Sequence, residues 1–245
     1  MERDLDLSRS GGHRLRPGWD RLRLELRVIG TAPPVTVLAA TLGGAVLVIV
    51  MHATGARAEH LDLAAGAVLA GFAPLGTAVA ASSVVGRDPG AELVMTSTVY
   101  RRVLLLRVGL VAAPAALGTL LDAVVFRALG AWPAGQGTGG YLLVWAPPML
   151  WLVALAVLVA IGLRSPAAAS ALVGGVWLAQ YLMAHEIRDS TVLRAQYLFM
   201  GVADRAPAHE WTVNRTALSA VGAAAVLAAG LLLERPERFV GSDAA

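Results

Sequence analysis

The side chains able to do chemistry in this chain are few and poorly spaced for it. Four of the five histidines, His52, His60, His185 and His209, fall between apolar runs, and three have an acidic neighbour in Glu59, Glu186 and Glu210. Such ligand types suit a transition metal, yet no two histidines stand four apart, the spacing that sets two imidazoles on one helix face. They read as solvated loop residues, and no metal site is expected. The absence of cysteine removes thiolate chemistry and any disulfide framework. All 20 residues counted as Lys plus Arg are Arg, so a P-loop lysine and a Schiff-base or general-base lysine are excluded. Neither His-Glu-x-x-His nor Gly-x-Ser-x-Gly occurs, so the chain is expected to be no enzyme and to bind no cofactor of its own.

One polar stretch looks built for a partner instead. It runs from Gly86 to Arg102 between two long apolar runs. Asp88 can cap a helix by accepting a free N–H of the first turn, and Pro89 suits the first helical position because its missing N–H costs nothing there. Glu92 then lies near the start and Arg101 and Arg102 at the far end, the order a helix dipole favours, while Leu93, Val94 and Met95 supply an apolar side. A short helix of this kind on a loop makes a docking peg.

The elements that must hold it are membrane helices. Hydrophobic residues make up 57% of the chain, charged residues only 15%, and mean hydropathy is +0.65, too apolar for a soluble domain. A helix rises about 1.5 Å per residue, so roughly 20 apolar residues cross a bilayer core. Six such runs are expected: 34–51, 61–83, 103–126, 141–163, 166–184 and 216–233. The Arg164-Ser165-Pro166 step separates the fourth from the fifth as a reversal. Arg residues resist translocation, and with both termini inside, fourteen Arg fall in the cytoplasm and six outside. That orientation puts 84–102 in the cytoplasm. The net charge of +3 does not point to nucleic acid, because the Arg residues flank apolar spans.

Ahead of the first span, Trp19, Leu22, Leu26 and Ile29 follow helical spacing with Arg21, Arg23 and Arg27 between them, which predicts an amphipathic helix in the headgroup region. Ala167, Ala171 and Gly175 recur every four residues and form a small-residue packing face. Pro74, Pro114, Pro147 and Pro148 predict bends in membrane helices. Residues 185–215 are too polar to span, and Tyr197, Leu198, Phe199 and Met200 within them are expected on the outer membrane surface. Arg107 and Asp122, near opposite ends of the third span, are expected to reach an interface and be solvated. The centres of the spans are then almost uncharged, which points to an apolar or amphipathic cargo for any transport.

On Gly90, Glu92, Leu93, Val94, Thr98, Val99, Arg101 and Arg102, the polar stretch resembles the cytoplasmic coupling region of type-2 ABC transporter permeases. Where that family has Pro-Val-Ser-Arg, this chain has Thr98-Val99-Tyr100-Arg101. Trp211-x-x-Asn214-Arg215, introducing the last span, is a second local similarity. The resemblance implies an all-α integral membrane protein of six transmembrane helices, with an N-terminal tail and elbow helix over 1–30, a membrane domain over 31–233 and a cytoplasmic tail over 234–245. It implies an exporting permease in the cell membrane, paired with an identical or similar chain and with two copies of a separate ABC ATPase that holds ATP and Mg. Asp88, Pro89, Gly90, Glu92, Leu93, Thr98, Arg101 and Arg102 would dock that ATPase, and Ala167, Ala171 and Gly175 would pack a helix or the second permease chain. A non-transporting membrane scaffold or assembly factor fits the same helices, and an intramembrane enzyme lacks the residues it needs.

Overall fold

The computed structural model describes residues 23, 25–85, 98–132, 140–202 and 206–234, and no strand occurs among them. The first long helix, α1 (Ala32–Ala53), starts on Pro33 and Pro34, where two missing N–H groups cost nothing. It stops where Gly55 turns left-handed (φ 75°), and Gly55 and Ala56 return hydrogen bonds to His52 and Met51. Next come α2 (Ala58–Ala67), a π-turn at Val68–Phe72 and α3 (Ala73–Val85), together one continuous apolar run over 58–85. The π-turn has a local cause. Pro74 has no N–H for the carbonyl of Ala70, and the ladder shifts register just before it, with Ala73 donating to Val68.

The remaining long helices are α4 (Thr98–Ala128), α5 (Tyr141–Leu163), α6 (Pro166–Leu182) and α9 (Ala208–Leu233), with short α7 (Ala184–Asp189) and α8 (Thr191–Arg194) before the last. The reversal expected at 164–166 is present. Arg164 adopts the left-handed conformation (φ 51°), the Ser165 hydroxyl accepts the Ala168 N–H at 3.2 Å, and Pro166 begins α6. Pro114, Pro147 and Pro148 lie inside α4 and α5.

The apolar residues sort by packing, with buried aliphatics between helices and a wide apolar exterior. Leu42, Val46, Leu117, Leu121 and Leu227 are all more than half exposed, the inverse of a water-facing surface. Five helical runs, 32–53, 58–85, 101–128, 141–163 and 208–233, are long and apolar enough to cross a membrane. The chain is therefore an all-helical, multi-pass membrane protein. The expected fifth span, α6, has 17 residues, about 25 Å of rise, and falls short of that length. The last span begins at Ala208 instead of 216, because 208–215 is helical and packed against the segment before it.

In the bundle, α3 is central and packs on α1, α4, α5 and α6, while α9 lies along α5. Gly76 against Ala40 and Gly44 against Val68 let α1 approach α3 and the π-turn so closely that no Cβ would fit at either glycine. Buried hydroxyls of Thr41, Thr77 and Thr119 bond carbonyls of their own helices, and Ser82 on α3 meets Ser170 on α6 at 2.8 Å. Contact between α4 and α5 is sparse, which leaves a groove between α4 and the α5–α9 pair.

Candidate functional site

Two places stand out. The first is where α4 leaves the polar stretch. Asp88, Pro89, Gly90, Glu92 and Leu93 lie outside the described residues. Thr98 begins α4, and Arg101 and Arg102 follow as exposed side chains. Arg101 Nη1 donates to Glu234 Oε1 at 3.1 Å, just past the end of α9. Both groups are about half exposed, so the pair contributes only about 0–1 kcal/mol and exchanges partners readily. Arg101 also marks one end of the groove between α4, α5 and α9, a cleft of about 440 Å³ that continues past Leu104, Val108 and Met149 to Trp145.

A buried ion pair braces this end. Arg107 Nε donates to Glu25 Oε2 at 2.7 Å, with both side chains 8% exposed. Arg107 is thus not solvated at an interface as its position in the span suggested. Glu25 and Ile29 form the buried side of the short helical segment 25–29, which ends at left-handed Gly30. The expected apolar stripe differs in detail, since Leu26 is half exposed and a carboxylate takes the inward position.

The second place is at the other end of the bundle. Tyr197, Leu198, Phe199, Met200 and Val202 are buried inside the protein, not laid on the membrane surface. Non-helical backbone at such a site must find partners for its polar groups. Three side chains supply them. Gln180 Oε1 accepts the Leu198 N–H at 2.8 Å, and Asn214 Nδ2 donates to the carbonyls of Arg194, Ala195 and Tyr197 at 2.9, 3.2 and 3.0 Å. Arg215 reaches the carbonyls of Leu198 and Met200 at 3.2 and 2.9 Å, while its guanidinium lies 5.5 Å from the Trp211 ring centre.

Arg215 is 1% exposed and has no carboxylate partner among the described residues, so carbonyl dipoles and an aromatic face carry its charge. At the rim Arg194 pairs with Glu210 at 3.1 Å. Beneath the segment, the aromatic rings of Phe72, Trp177, Tyr181, Phe199 and Tyr197 form a chain with centroids 5.2 to 6.0 Å apart. Gly71, in the π-turn, makes room for it, because a Cβ there would sit 2.6 Å from Phe199 Cε1.

Ala167, Ala171 and Gly175 form an exposed stripe on α6, so they pack on nothing among the described residues. Asp122 is 5% exposed, and its Oδ2 has no hydrogen-bond partner among the described residues. The histidines His52, His60, His185 and His209 are exposed, and no group of three metal-ligating side chains occurs among the described residues. Glu25, Gln180 and the clasping roles of Asn214 and Arg215 were missed by sequence reasoning. A signal existed for the last two, since Trp211 and Arg215 stand four apart, as do Asn214 and Leu218, and continue the helical pattern of the last span upstream.

These features define a class, a multi-pass helical membrane protein with a polar clasp at one end of its bundle and an apolar groove reaching the other. No family model, curated protein or solved structure matches the chain.

Proposed function

We propose that the chain is the permease subunit of an ATP-driven transporter of the type-2 ABC kind, exporting an apolar or amphipathic molecule, lipid or peptide across the cell membrane. In this reading α6 completes six spans, both termini are cytoplasmic, and two permease chains, identical or similar, bind two copies of a separate ATPase that holds ATP and Mg. The observation that carries the reading is the segment from Asp88 to Arg102, with its helix-start chemistry, its acidic beginning and its basic end, which follows α3 in the chain and whose basic end is the first turns of α4. A peg joined directly to two membrane helices can pass a push from an ATPase into the bundle. The exposure of Arg101 and Arg102 at the start of α4 suits docking.

The test is co-expression with the ATPase encoded beside this chain, purification in nanodiscs, and measurement of co-elution and ATP turnover. The expected result is a stable complex whose association or turnover falls when Glu92→Ala is combined with Arg101→Ala. Glu234→Gln, which breaks the Arg101 ion pair without touching the peg, leaves both unchanged. A chain that binds no ATPase, or a double variant indistinguishable from wild type, overturns the proposal.

A further inference from the structure

We propose that the groove between α4, α5 and α9 is a binding site for one anionic phospholipid of the bilayer, its acyl chain in the cleft and its phosphate on Arg101. This inference is independent of the transport reading. The shape supports it first. From Arg101 to Ala116 the groove follows α4 for fifteen residues, about 22 Å of rise, against the roughly 15 Å that half of a 30 Å hydrocarbon core offers. Its volume of about 440 Å³ falls within the range of about 300–1,000 Å³ typical of ligand sites.

The chemistry supports it next. Arg101 is the one charged residue lining the groove among the described residues, and it sits at one end; the others that line it are apolar or aromatic. A cation at one end of an otherwise apolar slot matches an amphiphile with an anionic head. Arg102, the next residue and also exposed, adds a second positive charge close by.

Glu234 is the competitor for the phosphate. Its 3.1 Å ion pair with Arg101 is weak because both groups are half exposed, so a phosphate can take its place. Gly230 keeps the mouth open: a Cβ there would meet only the Arg101 guanidinium, 3.7 Å away. A Cβ at residue 230 therefore points into the groove mouth and meets no atom of another helix except the end of the Arg101 side chain.

The experiment uses the full chain reconstituted in phosphatidylcholine nanodiscs doped with phosphatidylglycerol, released into detergent, with retained lipid counted by native mass spectrometry. Wild type is expected to keep one phosphatidylglycerol in preference to phosphatidylcholine. Arg101→Gln should cut that preference about fivefold, the equivalent of about 1 kcal/mol for one Arg near anionic lipid. Glu234→Gln should raise it, since the competing carboxylate is gone. Gly230→Phe and, separately, Ala112→Phe should expel the lipid while elution volume and melting temperature stay at wild-type values; if one variant misfolds, the other decides. Equal retention of the two lipids by wild type, or full retention in the folded groove-filling variants, overturns the proposal. So does a cross-link between copies formed from within the groove, which would assign it to a second chain.

Discussion

Asn214→Leu is the sharpest probe of the buried segment 197–202. Leucine is close to asparagine in size, so the packing is nearly kept while the amide that donates to three backbone carbonyls is lost. Asn214 is 1% exposed, and water cannot replace it without opening the site. The Arg194 carbonyl keeps the Tyr197 N–H at 3.2 Å, so the change removes at most two carbonyl bonds that have no substitute, and the closed segment should lose about 1–3 kcal/mol.

That loss multiplies the opening equilibrium by about 5 to 140, at tenfold per 1.4 kcal/mol. The chain has no cysteine, so Met200→Cys in an otherwise native background provides a single reporter at a side chain that is 6% exposed. Labelling by a membrane-impermeant maleimide should be slow with Asn214 present and at least about fivefold faster with Asn214→Leu, while the melting temperature of the bundle changes little. A labelling rate within twofold of the parent would refute the reasoning, because the Asn214 amide would then not be what holds the segment closed. A melting temperature that collapses in step with labelling would show that the segment does not open locally.

Three further outcomes are expected. Arg107→Leu, which leaves the buried Glu25 carboxylate without its cation, should destabilise the bundle by about 3–5 kcal/mol, while Glu25→Leu with Arg107→Leu should restore most of it in a thermal melt. Gly71→Ala should cost about 1–3 kcal/mol because its Cβ falls against Phe199 and Trp177, whereas Gly174→Ala, with open space around it, should leave the melt unchanged or raise it. Ala171→Leu with Gly175→Leu should leave the melt of the single chain unchanged, since the stripe is exposed; loss of a cross-linked or light-scattering dimer would show that a second chain packs there.

Much of this molecule was written locally. Runs of twenty apolar residues can satisfy their backbone in a bilayer only as helices, so the long spans, the reversal at Arg164-Ser165-Pro166 and the Pro-led start of α1 follow from sequence. The lack of lysine and cysteine bounded the chemistry before any coordinates. Tertiary structure decided what the polar residues do. Hydropathy averages a window, so Asn214 and Arg215 counted as loop although they belong to a helix that buries them, and Arg107 counted as an interface cation although Glu25, 82 residues away, neutralises it. Whether a charge at a span's end meets water or a partner depends on which distant element packs over it. The same physics hid the groove, because a cleft between α4 and α9 is a relation between helices far apart in sequence, and no single stretch of the chain encodes it.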